Sequence, residues 1–275
     1  MLEKTNILVV GCGSMASAMI KGWAHAGVAG KRFTVVAPRE ASVQDLRTVA
    51  QIDWYTKPED LPTDFHPDAV IMAVKPQVMP TVVRAYFPYA LEGSLMISVA
   101  AGLTLDFYKP FWGESAKIFR VMPNLPVAFN KGVCFGYANP SLDSSCFTYV
   151  HSLFSSLGKM LWLKDESKFD VSSAISGCGP AYAYLLVEAM TQAGAYCGLD
   201  LVEAESMARQ TIIGAGVLLD NSMDSAAVLK KKVASPGGVT QAALDVLEKP
   251  GQGLPDLMRQ AIQAAVSRSK ELSNG

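Results

Sequence analysis

One glycine-rich stretch near the start of the chain limits the possible folds more than any other feature. The sequence GCGSMA at residues 11–16 follows the short apolar run ILVV at residues 7–10 and precedes a helical pattern through Trp23. In a G-x-G-x-x-A pattern the first glycine permits a tight turn, the second lets the backbone approach a pyrophosphate, and the small last residue lets helix and strand pack closely. The stretch predicts a dinucleotide-binding turn, and the simpler alternative is a plain strand–helix connection.

The first half of the chain alternates apolar runs with helical patterns, which is typical of a parallel sheet covered by helices. Strands are predicted at residues 7–10, 33–37, 69–74, 95–99, 118–121, 132–137 and 158–163. Residues 53–68, with prolines at positions 58, 62 and 67, are predicted to be irregular. The first domain is therefore predicted to be of the α/β Rossmann type.

From Asp165 onwards only helical patterns remain. Asp165 and the two residues after it predict a helix start, and residues 177–180 are expected to interrupt the helical path before a long helix at residues 181–196. Helices with so few charges predict an interface between subunits. We expect a dinucleotide-binding Rossmann domain at residues 1–164 and an all-α substrate-binding and dimerisation domain at residues 165–275.

Composition excludes several other classes of protein. The 275 residues carry a formal net charge of −1 without a basic block, which argues against a nucleic-acid binder. The five cysteines are scattered and odd in number, which fits a reducing compartment better than a disulfide framework. No apolar run reaches the length of a membrane span and no signal region is evident, so a cytoplasmic location is expected.

The loop after the second strand predicts the cofactor preference. An NAD-selective site usually places an acidic residue there to hold the ribose hydroxyls, but here the sequence is APRE at residues 37–40. Arg39 is a candidate for binding a 2′-phosphate, so NADPH is the predicted cofactor. Glu40 keeps NADH possible, and a solvated arginine is the alternative for Arg39.

Three later strand exits are also predicted to face the cofactor, because ligands of open α/β sheets bind beyond the carboxyl ends of the strands. Lys75 follows one strand and is a candidate for holding the cofactor or a bound anion, and the alternative is a lysine that is simply exposed to solvent. Ala100 and Ala101 follow the next and leave room for a flat ring. Asn124 follows another, and its amide can both donate and accept hydrogen bonds, as a nicotinamide amide requires. A rigid turn with an internally bonded asparagine is the alternative.

A second glycine-rich stretch, SPGGVT at residues 235–240, lies in the helical half. A Ser-Pro pair that opens a helix would place Ser235 at N-cap and Pro236 at the first helical position. The glycines after it would let backbone N–H groups approach an anion, and Thr240 offers a hydroxyl. Taken alone, the stretch favours a connector between two helices.

Together these motifs resemble one family. The matching segments are GCGSMA at residues 11–16, AVKP at 73–76, MPNLP at 122–126, SGCGPAY at 176–182 and SPGGVT at 235–240, and they occur in the order found in pyrroline-5-carboxylate reductases. The resemblance implies a Rossmann domain followed by a helical domain that intertwines with a second subunit. It implies reduction of 1-pyrroline-5-carboxylate to L-proline with NADPH or NADH, the last step of proline synthesis, in homodimers that often assemble into decamers.

The resemblance also implies roles for individual residues. The predicted cofactor-binding residues are Gly11, Cys12, Gly13, Ser14, Met15, Ala16, Arg39, Ala73, Val74, Lys75, Pro76, Val99, Ala100, Ala101 and Asn124. The predicted substrate-binding residues are Ser235, Gly238, Val239, Thr240 and Glu166, of which Thr240 and Glu166 are the catalytic candidates. The chain departs from the family pattern at Leu125, Cys178 and Lys231, and the last departure leaves a cofactor contact of Lys232 open.

The expected chemistry is hydride transfer to a C=N bond, which requires a hydrogen bond or a proton at the imine nitrogen and a fixed ring geometry. The helix start at residues 236–240 would hold the substrate carboxylate, Thr240 would hydrogen-bond the ring nitrogen, and Glu166 would favour the iminium. The alternative for Glu166 is a helix-start acid that serves only the helix dipole. The three isolated histidines and the absence of metal-ligand spacing predict no metal site.

Two other functions fit the same pattern. A β-hydroxyacid dehydrogenase or an imine reductase shares the domain layout. A nucleotide-sensing regulatory protein without turnover is the alternative from another class. The sequence leaves the proton donor, the oligomer size and feedback by proline open.

Overall fold

The computed structural model describes residues 2–274 and contains one eight-stranded sheet followed by helices. The strands are β1 (Ile7–Val10), β2 (Arg32–Val36), β3 (Gln51–Tyr55), β4 (Ala69–Met72), β5 (Leu95–Ser98), β6 (Ile118–Met122), β7 (Gly132–Ala138) and β8 (Gly158–Trp162). The α-helices in these residues are α1 (Ser14–His25), α2 (Met79–Val82), α3 (Phe87–Leu91), α4 (Leu105–Trp112), α5 (Ser144–Ser155), α6 (Phe169–Ser172), α7 (Gly179–Tyr196), α8 (Leu201–Asp220), α9 (Ala226–Val233), α10 (Val239–Leu247) and α11 (Leu254–Asn274).

The strand order places the predicted cofactor loops together. The sheet runs β3-β2-β1-β4-β5-β6-β7-β8, parallel throughout except for the antiparallel β6–β7 pair. The order reverses between β1 and β4, which is the switch point where doubly wound sheets bind dinucleotides. Since β1, β4, β5 and β6 all run in the same direction, the loops that follow them meet at one edge of the sheet.

Both faces of the sheet are covered, as the continuous apolar strands predict. On one face Trp23 of α1 is fully buried, packs 5.7 Å from Phe154, and donates its indole N–H to the Leu153 carbonyl at 2.9 Å. On the other face Tyr108 stacks on Trp112 with ring centroids 4.8 Å apart. The two cores hold the central strands rigidly, so the loops at their carboxyl ends have fixed positions.

The prediction that residues 53–68 are irregular is wrong at its start. Gln51–Tyr55 forms the edge strand β3, which pairs in parallel with β2 so that Ile52 lies beside Phe33. The strand has polar residues at Gln51 and Asp53, because an edge strand is buried less than the central strands and alternates in polarity. Trp54 fixes this edge through an indole N–H bond to the Ala37 carbonyl at 2.9 Å.

The chain divides into two compact units, one made of Met1–Gly177 and Val266–Gly275 and the other of Cys178–Ala265. The division falls later than the predicted boundary between residues 164 and 165, because the segment after Asp165 packs on the sheet unit. Phe169 is 2% exposed and lies 4.8 Å from the Phe135 ring of β7. Within the described residues, no helix is both long enough and apolar enough to cross a membrane.

The expected interruption at residues 177–180 is also wrong in part. A single π-helical turn, Ser173–Gly177, leads almost directly into α7, and Gly179 and Pro180 are already the first residues of that helix. Proline is well tolerated in the first helical turn, since its missing N–H would have no partner there. The helical path is therefore broken only at Cys178.

The unit Cys178–Ala265 buries very little apolar surface by itself. Among the described residues of this unit, Ala204 and Ala208 are the only hydrophobic ones that are buried. Large apolar side chains on α7 and α8 remain exposed instead, among them Leu185 at 63% and Leu218 at 64%. Monomeric proteins rarely expose such extended apolar surface, so these helices are built to pack against something else.

Candidate active site

The first glycine turn has the geometry that the sequence predicts. Gly11 has a φ of +88°, and its N–H donates to the Val36 carbonyl of β2 at 2.8 Å. A Cβ at this position would lie 2.8 Å from the Val74 side chain and 2.9 Å from the Ala73 carbonyl oxygen. Glycine is therefore required where the loops after β1 and β4 touch at the switch point.

The space beside Gly13 fits a bound pyrophosphate. Gly13 is the N-cap of α1 and provides no side-chain cap, and a Cβ built on it would meet no atom within 4 Å. The first turn of α1 contains no acidic residue, and its N–H groups have no intrahelical acceptor. An anion would supply the missing partners and interact favourably with the helix dipole.

The loop after β2 is hydrogen-bonded to this glycine turn. Within the loop, one of the two neighbouring charged side chains is paired and the other is not. The Cys12 thiol donates to the Ser42 carbonyl at 3.1 Å, and burial raises its pKa above the usual range. Glu40 forms an ion pair with Arg47 at 2.8 Å. Arg39 is exposed, and its carbonyl accepts from the Ser42 hydroxyl at 2.6 Å, but its guanidinium has no hydrogen-bond or ion-pair partner among the described residues. The guanidinium of Arg39 is thus available to an anion, whereas the Glu40 carboxylate is engaged.

The loops after β4 and β5 lie at the same edge of the sheet. Lys75 is exposed, while Ala73, Val74 and Pro76 are partly buried. Val99 and Ala100 are buried, and the Ala100 N–H donates to the Ser98 hydroxyl at 3.2 Å. Ala101 is exposed. The position of these residues agrees with the predicted cofactor edge, and their contact with a cofactor stays a prediction.

Asn124 has a structural role that the sequence analysis treated as the alternative. Its Oδ1 accepts the Val133 N–H at 2.9 Å, and its Nδ2 donates to the Ser176 carbonyl at 2.9 Å. The residue is 7% exposed. The amide thus links three segments of the chain through one bond at each end. Its second N–H and the second lone pair of Oδ1 are not used by these bonds, so the contact of Asn124 with a nicotinamide stays a prediction.

Glu166 lies in a defined electrostatic environment. A short helical turn begins at Glu166, in agreement with the predicted helix start, and Asp165 caps it by accepting the Ser167 N–H at 2.8 Å. One oxygen of Glu166, Oε1, accepts both the first N–H of α4, from Leu105, at 2.9 Å and an N–H of Arg120 at 2.6 Å. The Glu166 carboxylate therefore interacts with the dipole of α4, and not with that of the short helical turn in which Glu166 itself lies.

Arg120 is the site residue that the sequence analysis did not identify. It lies in the middle of β6 with a side chain that is 4% exposed, and its guanidinium carbon is 3.7 Å from the Phe169 ring centroid. The signal was present, because an arginine inside the apolar run IFRVM is costly to bury without a partner. The partner, Glu166, is 46 residues away and could not be paired with it by sequence spacing.

The second glycine stretch corrects a prediction of the sequence analysis. Ser235 is not the N-cap and Pro236 does not open the helix, because α10 begins at Val239 with Gly238 as its N-cap. The Gly238 N–H instead donates to the Ser235 carbonyl at 2.9 Å, with Gly237 at a φ of +72°. Proline followed by a left-handed glycine is typical of a type II turn. The turn presents the start of α10 without a side-chain cap.

The start of α10 is exposed. Val239 is 91% exposed, and Thr240 is exposed with a hydroxyl that bonds to none of the described residues. Lys232, just before the turn, pairs with Asp224 at 2.5 Å, so its amino group is engaged within its own unit. Across residues 2–274, no group of three or more His, Cys, Asp or Glu residues is placed to hold a metal ion.

Comparisons with known proteins agree with this geometry. The family model described as pyrroline-5-carboxylate reductase dimerisation matches residues 166–272, and the one described as NADP oxidoreductase coenzyme F420-dependent matches residues 6–102. The chain is 33% identical to the pyrroline-5-carboxylate reductase of Pseudomonas aeruginosa over 99% of its length and 98% of that protein.

Two solved structures are similar over nearly the whole chain. The pyrroline-5-carboxylate reductase of Coxiella burnetii is 30% identical with a TM-score of 0.88, covering 98% of this chain and 99% of that one. The Plasmodium falciparum pyrroline carboxylate reductase with NADP bound is 29% identical with a TM-score of 0.83, covering 99% of this chain and 100% of that one.

Proposed function

The chain belongs to the pyrroline-5-carboxylate reductase family, and on that premise we propose that it reduces 1-pyrroline-5-carboxylate to L-proline. It is an oxidoreductase that acts on a C=N bond in the last step of proline synthesis. The observation that carries the proposal is the 33% identity to a pyrroline-5-carboxylate reductase over 99% of the chain. The open glycine turn at the switch point supports it independently, because it fits the pyrophosphate of the required cofactor.

NADPH is the proposed cofactor and supplies a hydride when bound. The related structure with NADP bound supports this choice. On this chain, the unpaired Arg39 would hold the 2′-phosphate, and the start of α1 at residues 13–16 would hold the pyrophosphate. The remaining proposed contacts are Gly11 and Cys12 in the glycine turn, the loops after β4 and β5, and Asn124 after β6.

The start of α10 is proposed to bind the substrate. The N–H groups of Val239 and Thr240 belong to a first helical turn that lacks intrahelical acceptors, which suits the substrate carboxylate. The free hydroxyl of Thr240 would hydrogen-bond the ring nitrogen, where charge changes during reduction. Ser235 and Gly238 would act by shaping the turn before the helix rather than by capping it.

Glu166 is proposed to favour the positively charged form of the imine. Its carboxylate is 24% exposed, and only Oε1 is bonded to described residues. Oε2 therefore remains available to a substrate or to water. A negative charge beside the ring nitrogen favours the protonated imine, and protonation makes the attacked carbon more electrophilic towards hydride.

The proposed function predicts proline-forming turnover by the purified protein. Oxidation of NADPH should depend on added 1-pyrroline-5-carboxylate, with equimolar L-proline detected by chromatography. Oxidation of a β-hydroxyacid with NADP, without turnover of the imine, would indicate the dehydrogenase alternative. Cofactor binding without consumption would indicate the nucleotide-sensing alternative.

Replacing Arg39 with alanine is expected to raise the KM for NADPH by roughly tenfold or more, since a charge-assisted phosphate contact is lost. The KM for NADH should hardly change, because NADH lacks the 2′-phosphate. Steady-state kinetics with both cofactors measure this ratio. The matched control is Arg47→Ala, which removes a neighbouring guanidinium that is paired with Glu40. An equal effect of R39A on both cofactors would contradict the assignment.

The helical part is proposed to form a homodimer and, at a larger scale, a decamer. The scarcity of buried apolar residues in Cys178–Ala265 supports a partner subunit. The family match at residues 166–272 supports a functional domain boundary between residues 164 and 165. Light scattering after gel filtration would distinguish the dimer from the decamer. A cytoplasmic location is proposed from the five free cysteines, which fit a reducing compartment.

A further inference from the structure

The Arg120–Glu166 pair is arranged so that one carboxylate oxygen is fixed and the other is left free. Oε1 receives two hydrogen bonds from different elements, the 2.6 Å bond from Arg120 on β6 and the 2.9 Å bond from Leu105 at the start of α4. Oε2 has no hydrogen bond to the described residues. Two donors on one oxygen restrict both the position and the rotation of the carboxylate.

Arg120 itself has almost no freedom to move. Its side chain is 4% exposed and lies against the Phe169 ring at 3.7 Å, and Phe169 in turn packs edge-on against Phe135 at 4.8 Å. The adjacent strand residue, Ser98, pairs in register with Arg120 and hydrogen-bonds Tyr108 at 2.5 Å. The position of the guanidinium is thus fixed by the strand β6 that carries it and by its contact with the Phe169 ring.

Stability alone is a poor explanation for this arrangement. Buried ion pairs can often be replaced by apolar residues without loss of stability, because desolvation offsets the attraction. Here the desolvation is also incompletely compensated, since the buried Nε of Arg120 has no hydrogen-bond partner among the described residues. A site that tolerates an unsatisfied buried donor is a candidate for a functional constraint.

We propose that Arg120 is a positioning residue for the reaction: it fixes Oε1 of Glu166 so that Oε2 is presented to the ring nitrogen of the imine substrate. The inference rests on the proposed function, because it requires Glu166 to contact that substrate. Arg120 does not touch the substrate in this assignment and acts only through Glu166. Its effect should therefore vanish when Glu166 cannot act.

A double-mutant cycle tests this dependence. Arg120→Lys keeps the charge but loses the rigid fork, and Glu166→Gln keeps an oxygen that can accept from both donors, so both variants preserve the local contacts better than alanine would. R120K is expected to lower kcat/KM for 1-pyrroline-5-carboxylate by about tenfold, since small misplacements of a catalytic group are costly. In the E166Q background the same change should cost less than about twofold. Additive losses would overturn the proposal.

A second readout does not depend on turnover or on the double variant. Calorimetric titration with L-proline, the product, should show weaker binding to R120K than to the native enzyme, with an unchanged Kd for NADPH. A purely structural role would instead lower the thermal midpoint and weaken both ligands together. The matched control is Arg32→Lys, because Arg32 forms an exposed 2.7 Å pair with Asp53 between β2 and β3, away from Glu166. R32K should leave all these quantities unchanged.

Different results would refute the proposed function and the positioning role of Arg120. A native enzyme without imine reduction would refute the proposed function. A native enzyme that reduces the imine, combined with additive R120K and E166Q effects or with unchanged proline binding in R120K, would refute only the positioning role of Arg120.

Discussion

An enzyme in which Gly13 is replaced by alanine is expected to fold normally and to bind NADPH about 100-fold more weakly, or roughly 2.7 kcal/mol. The expectation follows from two properties of one position. The backbone of Gly13, with φ of −87° and ψ of −171°, is accessible to any residue, and an added Cβ meets no protein atom within 4 Å. The methyl group would instead occupy the space where the pyrophosphate must approach the backbone.

Fluorescence titration with NADPH and thermal unfolding without it separate binding from stability. The stability change should stay near or below about 1 kcal/mol, because alanine at N-cap typically costs about that much and glycine a few tenths relative to a good capping residue. Gly11→Ala is the contrasting variant, since its positive φ and its approach to the Ala73 carbonyl predict loss of the fold itself. Normal NADPH affinity in G13A would show that the pyrophosphate binds elsewhere.

The sequence predicts the parts of this molecule whose cause is local. The glycine turn, the buried strands and the helix start at Asp165 and Glu166 all depend on residues that lie close together in the chain. β3 was missed because an edge strand needs only Ile52 to be buried and shows no continuous apolar run. The helix start at Val239 was misplaced because Ser-Pro can either open a helix or form a turn, and the left-handed glycine decides between them.

The parts that could not be predicted depend on contacts between distant segments. Asn124 binds Val133 through its amide oxygen and Ser176 through its amide nitrogen, two contacts that the sequence spacing does not show. Glu166 has the sequence pattern of a helix-start acid, and its partners Arg120 and Leu105 come from the sheet and from another helix. Side-chain availability is therefore a property of tertiary structure, and it changes which residues are good candidates for chemistry.

Replacing Thr240 with alanine is expected to lower kcat by roughly 100- to 1,000-fold, the size of the loss when one preorganised donor is removed from a developing charge. The Kd for NADPH should remain unchanged, because the proposed cofactor contacts lie in the loops of the sheet. Single-turnover rates and NADPH titrations measure the two quantities separately. Thr240→Ser retains the hydroxyl and should keep most of the activity.

Loss of stability is not expected to cause the lower kcat of T240A. The side chain is exposed, its hydroxyl bonds to no described residue, and alanine is a better helix former than threonine, so T240A should unfold no more easily than the native enzyme. Thr148→Ala is the matched control, because Thr148 is an exposed helical threonine whose hydroxyl donates to the Ser144 carbonyl at 2.9 Å. Native turnover in T240A would show that the Thr240 hydroxyl is not a required partner of the ring nitrogen.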